Sequence, residues 1–227
     1  MTDPYTDLDE LFDVCDSLGR PLGIRKRRGD VHRDGDWHRS IHCWVVGQKR
    51  DGTPYVIFQR RSESKDTSPG KLDATVGGHL AAGESVEDAL RETEEEIGLK
   101  LSMRDLLPLG VRQAASDIEP GVRDYEVQYV FLHRTSLPLT AFTPNPAEVS
   151  ALVEIPVPTA LELFTGRRAF IMAKSLCNQR CHPNEAWLAE QRIRADDFVF
   201  QPQADRYFYR LCVQIDLLYK DYPHISI

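Results

Sequence analysis

The chain has 227 residues, of which 41% are hydrophobic and 28% are charged, so it can bury a sizeable core without disulfides or a structural metal. Its formal net charge of −7 argues against a binder of nucleic-acid polymers, which would need a clustered positive surface. Neither a secretory signal nor an apolar stretch approaching the roughly 18 residues that span a bilayer is visible. We therefore expect a cytoplasmic protein with no membrane or nucleic-acid partner.

Short strands and turns dominate the predictions for the first half of the chain. Alternating or β-branched runs flanked by turn residues predict strands. The polar residues 29–37 predict a loop. The predicted strands cover residues 11–16, 22–25, 40–46, 55–59 and 72–76, the first four as two hairpins.

Residues 85–97 carry the best-marked helix, since small or apolar residues recur on one helical face. Ser85 with Asp88 fits a capping box, and Gly98 fits a helix stop. Strands are predicted at 106–111, 125–132 and 151–157, followed by a helix at 159–164 and a mainly helical segment at 167–227. The order of elements predicts an α+β fold, a mixed β-sheet sandwiched between helices with a C-terminal helical extension.

Three glutamates, Glu92, Glu95 and Glu96, share the helix face opposite the apolar one. Like charges at these spacings repel each other, and a bound Mg²⁺ or Mn²⁺ would reverse that penalty. A solvated surface face is the alternative. Glycines at Gly77 and Gly78 just before the helix favour the metal site, because they let backbone approach a phosphorylated ligand closely.

The segment from Gly78 to Leu99 resembles the Nudix box, in which a glycine and a glutamate precede an Arg-Glu-hydrophobic-x-Glu-Glu-x-Gly pattern. The resemblance implies a Nudix fold, a homodimer at family level, and Mg²⁺ or Mn²⁺ as cofactor. It also implies that Arg91 orients a glutamate through an ion pair. The box residues implied for the metal are Glu92, Glu95 and Glu96, and those implied for substrate are Gly77, Gly78, His79 and Glu84.

One departure concerns the spacer between Glu84 and Arg91, which holds six residues here and usually seven. We expect the loop–helix junction to absorb the missing residue, since the spacing within the helix is intact. The shorter spacer affects the expected position of Glu84 relative to the helix.

The front half is also similar to the isopentenyl-diphosphate isomerase branch of the same superfamily. In that branch, histidines and acids bind a metal, and a cysteine before the last histidine transfers the proton. Glycines precede His79 here, so the isomerisation lacks its acid–base partner. The residues that this second resemblance marks as a metal site are His32, His38, His79, Asp124 and Glu126.

The favoured function is therefore a metal-dependent hydrolase that cleaves a diphosphate linkage in a small molecule, such as a nucleoside diphosphate derivative. The general base is Glu95, Glu96 or an acid outside the box, with Glu126 and Glu148 as candidates. A diphosphate-binding module with reduced turnover and an isomerase-like protein remain as alternatives. The expected division is a hairpin segment at 1–30, a Nudix domain at 31–166 and the extension at 167–227.

Overall fold

The computed structural model describes residues 10–65, 67–119, 121–179, 182–200 and 205–227. Its strands are β1 Leu11–Cys15, β2 Pro21–Arg27, β3 Trp37–Gln48, β4 Pro54–Arg61, β5 Leu72–Asp73, β6 Val76–His79, β7 Leu106–Glu119, β8 Val122–Arg134, β9 Val149–Pro156, β10 Ile171–Gln179 and β11 His182–Ile193. Its α-helices are α1 Arg28–Asp34, α2 Arg91–Ile97, α3 Val157–Phe164 and α4 Tyr207–Leu218. Short 3₁₀ turns cover Asp88–Leu90, Met103–Asp105, Leu139–Ala141 and Ala195–Asp197.

These strands join one mixed sheet, whose main path runs β11-β10-β9-β4-β3-β1-β2. β8 pairs in parallel with β3, whereas β4, β6 and β7 form antiparallel ladders with their neighbours. The N-terminal hairpin and the C-terminal strands extend the same sheet as the central segment. The three segments expected from the sequence are therefore parts of one continuous layer.

The sheet is apolar on both faces, as a layer covered on both sides requires. On β3, Val45 packs in the same core cluster as Ile97 of α2. Its neighbour Trp44 belongs to a second cluster, which includes Leu163 of α3 and Leu211 of α4. Since successive strand residues point to opposite faces, α2 covers one face and α3 with α4 covers the other. The predicted α+β arrangement of a mixed sheet between helices is confirmed.

The segment predicted as a loop at residues 29–37 begins instead as helix α1. Gly35 ends this helix in the left-handed conformation, at φ 72°. Val31 is fully buried against Phe12 and Val14 of β1. The burial of Val31 thus stabilises a short helix, although the polar composition of the segment predicts a loop.

The prediction that residues 167–227 are mainly helical is wrong for the first part of that segment, which forms β10 and β11. Ile171 and Ala173 are buried, whereas Met172 and Lys174 between them are exposed. This period of two is the pattern of a strand with one covered face. β10 adds to the sheet by pairing with β9, and α4 supplies the helix of the extension.

None of the helices in the described ranges is both long and apolar enough to cross a bilayer. The longest of them, α4, has 12 residues.

Candidate active site

Strand β6 runs through the centre of the candidate site and carries Gly77, Gly78 and His79. Because successive positions of a strand face opposite sides, position 78 faces α2 and His79 faces away from it. A Cβ atom at Gly78 would lie 2.3 Å from Cγ of Glu92. Only glycine therefore lets the acidic helix approach the strand this closely.

The start of the acidic helix has the capping box that the sequence predicts. The N–H of Asp88 donates to Oγ of Ser85 over 3.2 Å, and the N–H of Ser85 donates to Oδ2 of Asp88 over 2.9 Å. Residues 88–90 form a 3₁₀ turn, and α2 begins at Arg91. The turn lies at the junction where the shorter spacer was expected to be absorbed. At the other end, Gly98 stops the helix with φ 70°.

The three glutamates that share one face of α2 are buried to different degrees. The side chain of Glu95 is 56% exposed and that of Glu92 is 17% exposed, whereas Glu96 is buried and accepts a 3.0 Å hydrogen bond from Nε2 of Gln59. Burial raises the pKa of Glu92 to about 7. Burial and the charge of Glu92 raise the pKa of Glu96 well above its ordinary value. Ionising this cluster is therefore costly unless a cation offsets the charge, and carboxylate oxygens are ligands that hard divalent cations prefer.

Arg91 holds the acidic side chains in place. Its Nε and Nη2 contact the two carboxylate oxygens of Glu84 at 2.9 and 3.3 Å. Its Nη1 contacts Glu92 at 2.6 Å and Glu95 at 3.0 Å. Glu84 also accepts the N–H of Ala81 over 2.8 Å. The structure thus places Glu84 against Arg91, where both its carboxylate oxygens accept hydrogen bonds, and its expected role in substrate binding stays a prediction.

Glu148 joins this acidic cluster from the segment just before β9. It forms an ion pair with Lys65, and its carbonyl oxygen accepts the N–H of Ser62 over 2.9 Å. The charge of Glu148 raises the pKa of both Glu92 and Glu96, which shows how near the carboxylates lie. The structure therefore brings the predicted residue Glu148 to the box acids, together with a lysine that sequence reasoning did not single out.

A second cluster lies on the other side of β6, where four elements meet. One ligand atom from each of four side chains falls within 4.8 Å of all the others; these are His32, His38, His79 and Asp124. Glu126 adjoins them, with its Oε1 2.9 Å from Nε2 of His79. Within the described ranges, neither Nε2 of His38 nor Oδ1 of Asp124, 3.5 Å apart, has a hydrogen-bond partner. Buried polar atoms are rarely left in this state, so the arrangement fits a cation between them.

Two histidines of this cluster, His38 and His79, are neutral, which metal binding requires. Burial lowers the pKa of His38, and it lowers that of His79 to about 3. Phe12 forms an apolar wall, with its ring centroid 5.3 Å from that of His38 and 5.0 Å from that of His79. The structure thus assembles His32, His38, His79, Asp124 and Glu126, which the sequence marked only through a resemblance.

The glutamate cluster and three members of the histidine cluster line one cleft of about 780 Å³; these three are His79, Asp124 and Glu126. Glycines Gly77 and Gly78 lie between the two sets, so the floor of the cleft is bare backbone at this point. Two cationic side chains of the wall, Arg61 and Lys65, offset part of the acidic charge. Sequence reasoning missed several lining residues, and for three of them the available signal was a polar residue in an otherwise apolar strand. These three are His42, Arg61 and Gln128, whereas Lys65, also missed, lies in the loop after β4.

Comparison with known proteins identifies relatives along most of the chain. A family model described as the NUDIX domain matches residues 36–174. An uncharacterized Nudix hydrolase of Clostridium acetobutylicum is 31% identical over 193 residues, which are 84% of this chain and 90% of that protein. Nudix hydrolase 3 of Arabidopsis thaliana is 36% identical over 152 residues, 65% of this chain but 19% of that protein. The crystal structure of a Deinococcus radiodurans protein has a TM-score of 0.51 at 21% identity, over 69% of this chain and 90% of that one, which supports the fold.

A different activity appears among the relatives. An isopentenyl-diphosphate Δ-isomerase of Brevibacterium linens is 32% identical over 143 residues, which are 62% of this chain and 74% of the isomerase. None of the cysteines in the described ranges lines the cleft. Cys43, the one that pairs with β6 through Val76, is fully buried in the core cluster shared with α2. The thiol expected for that isomerisation is therefore absent from the described cleft wall.

The contact between Gly78 and Glu92 predicts that alanine substitutions at two neighbouring glycines have very different effects on metal binding. In Gly78→Ala the added methyl displaces Glu92, so we expect Mg²⁺ and Mn²⁺ to bind roughly ten- to a hundredfold more weakly. In Gly77→Ala the added methyl lies 3.7 Å from the ring of His42, an ordinary contact, so metal binding should be unchanged. Isothermal titration calorimetry measures both. Equal affinities in the two variants would contradict the role of this contact.

The pKa values of the acidic cluster predict how the metal-free protein responds to pH. A carboxyl whose pKa is raised by folding stays protonated in the folded chain where the unfolded chain has ionised. The contribution of Glu92 to the free energy of unfolding should therefore fall as the pH rises from 4.5 towards about 7, the values for Glu92 in the two states. The buried histidines His38 and His79, whose pKa values are lowered, contribute the opposite slope. Urea unfolding of the wild-type protein and of Glu92→Gln in the presence of EDTA therefore tests the sign through the difference between the two.

Glu96→Gln removes one buried ionisable group from the same cluster. We expect it to raise the free energy of unfolding of the metal-free protein at neutral pH by roughly 1–3 kcal/mol, and to abolish stabilisation by Mg²⁺. The control is Glu94→Gln, on the same helix but 59% exposed, which should change neither quantity. A destabilised metal-free Glu96→Gln protein would show that the cluster is not a site of charge repulsion.

Proposed function

Because the chain belongs to the Nudix family, we propose that it is a Mg²⁺- or Mn²⁺-dependent hydrolase that cleaves the diphosphate linkage of a nucleoside diphosphate derivative or a related small molecule. The observation that carries the proposal is the convergence of Glu92, Glu96 and Glu148 on one wall of a cleft whose floor is glycine backbone. Such a wall has the oxygen donors for a hard cation and the space for a phosphorylated ligand.

The side chains around the cleft have separable tasks in this proposal. Glu92 and Glu96, with Glu95, would hold the cation, and Arg91 fixes two of these carboxylates by direct contacts. When bound, Mg²⁺ or Mn²⁺ would offset charge on the diphosphate oxygens and favour the attack of water at phosphorus. The cationic wall near Lys65 would attract the diphosphate and partly neutralise it.

Two carboxylates are suited to accept the proton of the attacking water. Glu95 is half-exposed, and Glu148 lines the same cleft. Glu96 is less suited to this task, since it is buried and bonded to Gln59. Glu126 belongs to the histidine cluster on the other side of β6.

A panel of nucleoside diphosphate derivatives and non-nucleotide diphosphates, assayed for phosphate or nucleotide release with Mg²⁺ or Mn²⁺, tests the proposal. We expect turnover of at least one compound, and loss of at least a hundredfold in kcat, about 2.7 kcal/mol, in Glu96→Gln. Glu95→Gln and Glu148→Gln distinguish the two candidate bases, and Glu94→Gln is the control. Isopentenyl diphosphate belongs in the panel, and its isomerisation rather than hydrolysis would overturn the assignment.

We further propose that the histidine cluster holds a second divalent cation. Its nitrogen donors favour Mn²⁺ or Zn²⁺ over Mg²⁺, whereas the oxygen-only cluster on α2 suits Mg²⁺. The support is the pair of buried atoms without partners, Nε2 of His38 and Oδ1 of Asp124.

Elemental analysis after growth with Mn²⁺ or Zn²⁺ and dialysis checks this second site. The wild-type protein should retain close to one equivalent of the metal. Asp124→Asn, nearly the same size as the native side chain, should lose it and keep its fold by circular dichroism, while Glu96→Gln should retain it. A wild-type protein without metal, or an Asp124→Asn protein that keeps the metal, would contradict the proposal.

A further inference from the structure

Among the described residues, His42 is an imidazole that lines the cleft and belongs neither to the glutamate cluster on α2 nor to the histidine cluster. It lies on β3, is almost fully buried, and has its Nδ1 3.0 Å from the hydroxyl oxygen of Tyr207, the first residue of α4. The same hydroxyl oxygen is 2.9 Å from Nε1 of Trp44. The hydroxyl group of Tyr207 on α4 thus contacts two buried side chains of β3, those of His42 and Trp44.

The donors and acceptors of this trio fix the tautomer of His42. An indole N–H can only donate, so the hydroxyl oxygen of Tyr207 accepts from Trp44. The phenol has one proton of its own, and Nδ1 of His42 is its hydrogen-bond partner in the described ranges. Tyr207 therefore donates to Nδ1, and the imidazole carries its proton on Nε2. Burial lowers the pKa of His42, which agrees with a neutral ring.

The Nε2 side of the ring points towards the cleft. It lies over the glycine floor, 3.8 Å from the place where a Cβ of Gly77 would be. In the described ranges no hydrogen bond to Nε2 of His42 is formed, although the other ring nitrogen is fully engaged. The imidazole of His42 is thus an oriented donor whose Nε2–H, in the part of the chain that the structure describes, has no protein partner and faces the space that a ligand would fill.

We propose that His42 binds a phosphoryl oxygen of the diphosphate substrate through its Nε2–H, and that Tyr207 is the positioning residue that keeps the proton on that nitrogen. This inference rests on the proposed function. Nine of the side chains that line the cleft are carboxylates, which only accept hydrogen bonds when ionised, so a phosphoryl oxygen depends on the donors among the other lining residues, such as Arg61, Lys65 and His42. His42 supplies one and adds no charge that would compete with a cation for the neighbouring acids.

Two measurements on the wild-type protein and four variants test the proposal. The first is nuclear magnetic resonance of ¹⁵N-histidine-labelled protein, assigned with His42→Gln. It should show His42 protonated at Nε2 and unprotonated at Nδ1, and Tyr207→Phe should shift protonation towards Nδ1. This readout needs no substrate. Protonation of wild-type His42 at Nδ1 would overturn the proposal.

The second measurement is calorimetric binding of methylenediphosphonate, an uncleavable diphosphate, in the presence of Mg²⁺. His42→Phe should bind it roughly tenfold more weakly, the loss expected for one hydrogen bond to an ionised acceptor. His42→Gln, whose amide can donate near the same point, should recover most of the affinity, and the exposed His224→Phe is the control. Thermal unfolding of each variant confirms that it is folded.

The outcomes separate this inference from the proposed function. If the wild-type protein binds methylenediphosphonate and His42→Phe binds it equally well, the role of His42 is wrong and the metal–diphosphate site stands. If the wild-type protein does not bind it with Mg²⁺, both proposals fall. Weaker binding in His42→Phe, rescued in His42→Gln, supports the inference.

Discussion

The close approach of α2 to β6 at Gly78 determines the geometry of the whole candidate site. A side chain at this position would occupy the place of Glu92. The acidic helix α2 can therefore pack against β6 only where β6 carries no side chain. Burying several carboxylates is costly, and the contacts from Arg91 and Gln59 offset part of that cost. The acids are thereby fixed by packing before any ligand arrives, which is the form of preorganisation that electrostatic catalysis requires.

The same strand separates two kinds of donor atoms. On the side of α2 the donors are carboxylate oxygens, and on the other side three imidazoles converge with Asp124 and Glu126. Donor sets of such different composition prefer different cations, so the two proposed sites would not compete for one metal. Because Gly77 and Gly78 add no side chains to β6 between the two clusters, a ligand lying across β6 at this point would contact both clusters.

The sequence predicted those parts of the site that local chemistry determines. The capping box at Ser85, the stop at Gly98 and the shared face of the glutamates all depend on residues within one helix, and they were located correctly. The histidine cluster joins α1, β3, β6 and β8, so no spacing in the sequence could reveal it, and only a resemblance marked its members. The strand β10 was missed because its pairing with β9 is non-local. The contact of Glu84 with Arg91 was left open because it depends on the 3₁₀ turn between them.

The hydrogen bond from Trp44 to Tyr207 joins residues 163 positions apart, and the ion pair of Arg112 with Asp205 joins residues 93 apart. The contact between Gly78 and Glu92 is local by comparison. Contacts of short sequence separation form early in folding, because less chain entropy is lost in closing them. Closing the contact between α2 and β6 at Gly78 therefore costs less chain entropy than closing the side of the cleft that His42 faces, which requires α4 docked on β3.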